Sequence, residues 1–236
     1  MFSRQCNGAS ANTCNAAKME AMAKQGKPQF PETSARVADS TDFSQNLPEL
    51  QLADHFLIAM PSMLDPVFGG TVVYICEHNA DGALGMIINR PTDMTMGVLF
   101  DRLDLSLEIG PYGESRSGKP VMFGGPVQVE RGFVLHAPND HYSSSLIVSE
   151  QVALTTSRDV LESVAAGHGP ERLIVTLGCA GWSAGQIEEE ILRNGWLTVK
   201  ADPGVLFDTP VEQRFTAAMH LLGIDPNDLS GEAGHA

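Results

Sequence analysis

No stretch of this chain approaches the roughly 18 uninterrupted apolar residues that a membrane-spanning helix needs. Its longest apolar pieces, such as Thr71–Cys76, are of strand length. The first residues, Met1 to Gly8, lack the apolar core of a secretory signal. Cysteine is sparse: four thiols (Cys6, Cys14, Cys76, Cys179) in 236 residues do not make a disulfide framework. A cytoplasmic protein with free thiols is therefore the expectation. Clustered basic charge is also missing. The net charge is −14, and after residue 46 the ten Lys/Arg are scattered, with no two adjacent. Duplex DNA binding draws most of its affinity from Lys/Arg against phosphate, so direct nucleic-acid binding is disfavoured unless folding gathers distant arginines. Neither CxxC nor HExxH occurs, so no metal site is assigned.

Residues 1–46 hold Asn, Ser, Gln, Ala and Thr with no sustained apolar period, and a disordered extension is expected there. An internal translation start would give the same look. From Leu47 to the end at residue 236 the pattern is dense enough for a single domain. Strands are predicted at 55–60, 71–77 and 84–89, the last two joined by the turn residues Asn79-Ala-Asp-Gly82. A helix is predicted at 96–103 and a surface loop at 105–119. Short strands follow at 121–123, 133–136, 146–148 and 152–154. Three helices then open on capping pairs, Thr156 with Asp159, Ser183 with Gln186 and Thr209 with Glu212. Between them, 173–177 and 196–200 read as strands. Strands in runs first, alternating with helices later, predict an α+β fold on a mixed sheet.

The stretch with most chemical promise is Leu177-Gly-Cys-Ala-Gly-Trp-Ser-Ala-Gly-Gln186. Read as a glycine-rich turn from strand to capped helix, it would offer N–H groups to an anion. It is read as matching neither phosphate-loop nor nucleophile-elbow spacing. The candidate ligand-binding set is Gly178, Gly181 and Ser183, with Arg90, His136 and Arg158 converging. The competing reading makes the glycines close-packing devices and Cys179 a small buried hydrophobe. Cys76-Glu77-His78 are successive strand residues, so at most two side chains share a face. His136, Asp140 and His141 near Ser143–Ser145 suggest hydrolase chemistry, but sequence adjacency is a poor proxy for a triad. Glu188-Glu-Glu190 reads as the solvated face of its helix, opposite Ala184, Ile187 and Ile191. No catalytic residue and no cofactor is assigned.

Many of these segments resemble the AlgH/YqgE family of bacterial proteins: Phe56–Ser62, Cys76–Asn79, Gly85–Pro91, Phe123–Val127, Arg131–His136, Thr156–Asp159, Gly178–Gln186, Asn194–Leu197 and Leu206–Asp208. The match runs in order from about residue 50 to 224. It implies an α+β fold with a mixed, bifurcated β-sheet that includes a small β-barrel, flanked by helices. It implies no established activity. Some members carry a transcriptional-regulator label, attached through alginate production rather than a DNA-binding fold. Cys179 departs from the Tyr usual in the family's LGYAGW stretch, which weakens a catalytic role for that position. The expectation is a non-enzymatic regulatory or interaction protein with a protein or small-molecule partner. The alternative is an anionic-ligand protein or enzyme with its site at Gly178–Gln186.

Overall fold

The computed structural model describes residues 50–106, 116–139 and 141–225. The expected extension at 1–46 and much of the expected loop at 105–119 lie outside them. The chain begins with β1 (His55–Ala59), β2 (Val72–Asn79) and β3 (Gly82–Ile87). The β2–β3 hairpin forms where the turn residues stand: Asn79 Oδ1 accepts the Asp81 N–H at 2.8 Å, and Gly82 takes φ +135°. A bulge at Cys76 shifts the register between Ile75 and Glu77. β4 (Pro91–Thr95) leads into α1 (Met96–Arg102), whose cap Thr95 accepts the Val98 N–H at 3.4 Å.

β5 (Pro120–Phe123), β6 (Val127–His136), β7 (Ser145–Ile147), β8 (Ala153–Thr155) and α2 (Asp159–Ala165) follow. After them come β9 (Leu173–Ser183), α3 (Gln186–Leu192), β10 (Trp196–Lys200), a π-helical turn (Gly204–Asp208) and α4 (Arg214–Leu221). The long strand β9 organises the sheet. Its first half pairs with β6 on one side and, in parallel, with β5 on the other; its second half pairs with β3. The sheet therefore bifurcates at β9. Ladder order runs β10-β1-β2-β3-β9-β6-β8-β7 without joining its ends, so the expected barrel is a curled half-barrel. The α+β expectation holds, and the parallel β5–β9 pair makes the sheet mixed.

The inner face of the curl is filled by Phe56, Tyr74, Met86, Leu135 and Leu154, and closed by Leu206 and Met219 from the π-turn and α4. Tyr74 is fully buried and donates its hydroxyl to Asp54 Oδ1 at 2.8 Å, while Asp54 Oδ2 meets Lys200 Nζ at 2.8 Å. A buried phenol needs such an acceptor. The outer face packs Trp182, Trp196 and Phe68 beneath α3, and a third cluster lies under α1 and α2.

The three capping pairs resolve differently from their spacing, and none caps its helix through a side chain. Thr156 bonds Ser144 Oγ at 2.9 Å, while Asp159 accepts from Ser157 and Ser143 instead of reaching back to Thr156. Thr209 donates to Gly204 O across the π-turn, and a 3-10 turn at Val211–Gln213 precedes α4. Gln186 does accept the Ser183 N–H at 3.1 Å, but Ser183 ends β9, and α3 is capped by Gly185 at φ +73° with no side-chain cap bond.

Candidate functional site

At one mouth of the half-barrel lies a groove of about 390 Å³. Leu84, Phe133, Leu146, Leu154 and Cys179 give it an apolar floor and walls; Gln128, Arg131, Ser144, Thr156 and Glu77 supply its polar atoms. The cation is delivered by an irregularity in β6. Val127 faces Cys179 and Gly132 faces Leu177, so five steps along β6 cover two along β9. The excess bulges outward through exposed residues 128–131, with Gln128 at φ +51°. Arg131 folds back so that its guanidinium carbon sits 5.5 Å from the Phe133 ring centroid. Among the described residues no carboxylate lies within ion-pair distance of it. Ser144 and Thr156 share one hydrogen bond, which leaves one of the two O–H groups able to donate elsewhere. Glu77, which accepts from Asn79 Nδ2 at 3.0 Å, is the acid in the lining.

Burial pushes the Cys179 thiol up to about 12, against a smaller downward pull from Arg131. Burial likewise raises Cys76, helped by Cys179, Glu77 and Asp54. Both thiols are inert hydrophobes at neutral pH. In a Cys6→Ser/Cys14→Ser background, a disulfide reagent at pH 7.5 should therefore titrate neither Cys76 nor Cys179 until the chain is denatured. Fast native labelling would contradict their placement.

Behind the groove runs a chain of hydroxyls. Burial lowers the His136 pKa, partly opposed by a hydrogen bond to Ala137 O, so the ring is neutral. Nδ1 faces that carbonyl at 2.9 Å and must carry the proton. Nε2 then accepts from Thr155 Oγ1 at 2.8 Å, and Thr155 accepts from Ser145 Oγ at 2.6 Å. Ser145 and Thr155 are direct cross-strand partners, and such hydroxyl pairs stabilise sheets. Asp140 lies outside the described residues.

The acidic triplet departs most from its expected role. Glu190 is 5% exposed. Its Oε2 accepts both indole N–H groups, Trp182 and Trp196, each at 2.9 Å, and Oε1 accepts Gln186 Nε2 at 2.9 Å. Glu188 meets His78 Nε2 at 2.8 Å, and Glu189 pairs with Arg193. So one acid is core, one ties the β2–β3 hairpin to α3, and one faces water. The signal in the sequence was the pair of tryptophans, whose buried N–H groups require an acceptor.

The residues expected to form an anion site are spread over the fold. Gly178–Ser183 belong to β9 rather than to a turn, and Ala180–Ser183 stand in register with Gly85–Gly82, so this backbone is committed to a ladder. Arg90 donates to Pro66 O and Gly69 O, each at 2.9 Å. Arg158 donates to Glu162 and to Leu103 O. His136 is opposite Leu173, five residues along β9 from Gly178, a separation of about 17 Å at the rise of a strand. Gly181-Trp-Ser-Ala-Gly185 does have Gly-x-Ser-x-Gly spacing, which corrects the reading that left a nucleophile elbow out. The elbow is not assembled: Ser183 has no positive φ, and its hydroxyl donates to Gln186 Oε1 at 2.9 Å rather than to a histidine. Cys76, Glu77 and His78 go separate ways, and among the described residues no three His, Cys, Asp or Glu side chains assemble as a metal site. Among them, too, no helix is long and apolar enough to cross a membrane.

A family model described as AlgH-like matches residues 56–227. A UPF0301 protein of Ralstonia nicotianae is 63% identical over 187 residues, covering 79% of this chain and 96% of its own. One of Cupriavidus metallidurans is 60% identical with the same coverage. The solution structure of the AlgH protein from Pseudomonas aeruginosa superposes with a TM-score of 0.63 at 44% identity, covering 81% of this chain and all of that one. A Corynebacterium diphtheriae protein shares the fold at 15% identity, with a TM-score of 0.56 over 75% of this chain and 90% of its own.

Proposed function

The chain belongs to the AlgH-like family, and from that premise we propose that it is a non-enzymatic binding protein of the cytoplasm whose half-barrel mouth holds a small amphipathic acid. One observation carries the reading: Arg131, without a carboxylate partner among the described residues, stands over an apolar floor in a groove of about 390 Å³. Pockets of that size at a barrel mouth suit small ligands. Arg131, the amide of Gln128 and one hydroxyl of the Ser144–Thr156 pair are donors, which select an anionic head group. Leu84, Leu146, Leu154 and Phe133 suit an alkyl or aryl body, each buried methylene adding about 0.8 kcal/mol. Regulation would then mean ligand-dependent contact with a protein partner. The charge of −14 argues against direct contact with nucleic acid. Residues 47–236 act in this reading as one folding unit behind the N-terminal segment.

Octanoate is a suitable probe. Calorimetry on the full chain should show saturable one-to-one binding, and Arg131→Gln should weaken it at least about tenfold, the effect of losing a hydrogen bond to a charged group. Octanol, which keeps the tail and lacks the carboxylate, should bind as weakly as octanoate does to the variant. Equal affinity of octanoate for wild type and Arg131→Gln would sink the proposal.

A further inference from the structure

A second groove, of about 240 Å³, opens between the chain leading into β5, the start of β9, and the π-turn with α4. We infer that it is an anion site for a phosphate group, carried by free phosphate or a phosphomonoester, with Arg214 and Lys119 as its principal contacts. This inference is independent of the mouth groove.

The chain carries −14, yet Arg116, Lys119 and Arg214 all line this groove, against one acid among the described residues, Asp208. Asp208 is already committed, since its Oδ2 meets Arg172 Nη2 at 3.0 Å. Residues far apart in sequence thus form the basic patch that no segment of the chain displays by itself.

Arg214 is the informative member. It is 5% exposed, and its hydrogen bonds run to backbone carbonyls: Nε to Thr209 O at 3.1 Å and Nη1 to Ile88 O. Burial lowers its pKa to about 10, with Glu212 opposing from a distance, so it is cationic at neutral pH. Among the described residues no carboxylate lies within ion-pair distance of it. A buried guanidinium held only by neutral carbonyls keeps most of its desolvation penalty. An anion in the groove would offset that penalty, and a guanidinium's planar fork suits phosphate oxygens. Arg116 is also buried, with Nη2 donating to Pro170 O at 3.0 Å. Exposed Lys119 adds a third cation. The groove borders the π-helical turn Gly204–Asp208, a backbone form concentrated at functional sites.

The test is a thermal-shift titration of the full chain with inorganic phosphate, glycerol 3-phosphate and chloride at constant ionic strength. Saturable rises with one or both phosphate compounds and none with chloride are expected. A rise with inorganic phosphate alone would name the free anion as ligand, and a tighter response to the ester would name the phosphomonoester. Lys119→Ala, a surface change that leaves the fold intact, should weaken the apparent affinity at least fivefold. Arg131→Gln at the other groove should leave it unchanged. The inference is overturned by phosphate and chloride responses that coincide, or by Lys119→Ala binding phosphate as wild type does.

Discussion

Glu190→Ala should destabilise the protein by about 4 kcal/mol, because it strands two buried indole N–H groups that each cost about 1–3 kcal/mol when unsatisfied. The carboxylate is a hub beneath α3. Oε2 holds Trp182 and Trp196, whose rings meet edge-on with centroids 6.2 Å apart, and Oε1 holds Gln186. Phe68 packs against both tryptophans at 6.0 and 5.7 Å, so loosening the indoles loosens the segment before β2 as well. Glu190→Gln should cost less, since an amide oxygen can still take both indoles. It should still cost something, because its NH₂ would then face the Nε2 of Gln186, whose own oxygen is occupied by Ser183. Urea unfolding followed by tryptophan fluorescence gives both values. A loss below about 1 kcal/mol for the alanine variant would mean that the indoles have other acceptors.

Gly125→Ala should be worse, more than about 4 kcal/mol and in practice a failure to fold. Gly125 has φ +147°, and a Cβ there would lie 2.3 Å from Cys179 C and 2.4 Å from its carbonyl oxygen. Backbone stands on both sides of that collision, so no side-chain rotation relieves it. The site is the crossing at which the chain after β5 passes over β9. Gly124 and Gly178 are equally pressed there, their Cβ positions meeting Gly178 O at 2.2 Å and Gly125 O at 2.4 Å. Gly132→Ala is the control, because nothing lies within 4 Å of its Cβ position; it should stay within about 1 kcal/mol of wild type. Comparable stability of the two variants would show that the crossing is looser than its geometry.

The same crossing explains what could be read from the sequence. The β2–β3 hairpin was legible because β-branched and aliphatic runs flank turn residues whose chemistry is local. The length of β9 was not. Gly178 and Gly181 resemble a turn, but Gly178 serves a close approach between segments more than fifty residues apart, which no local pattern shows. Glu190 was hidden for the opposite reason. Three acids in a row fit a solvated helix face, and only the need of two nearby tryptophans for an acceptor marks one of them as buried.

The candidate sites followed the same rule. Cys179 was singled out and does form part of the mouth groove, but Arg131 reaches that groove only through a bulge in β6 that its sequence does not signal. Arg214 resembles any helix-terminal basic residue until the fold sets it beside Lys119.

Occupation of the half-barrel mouth is read residue by residue in an NMR titration of the ¹⁵N-labelled full chain with octanoate. Shifts concentrated at Leu84, Arg131, Ser145, Leu146, Thr156 and Cys179, saturating together and absent in Arg131→Gln, are the predicted result. Shifts scattered over the surface, or a saturating set centred away from the half-barrel mouth, would contradict it.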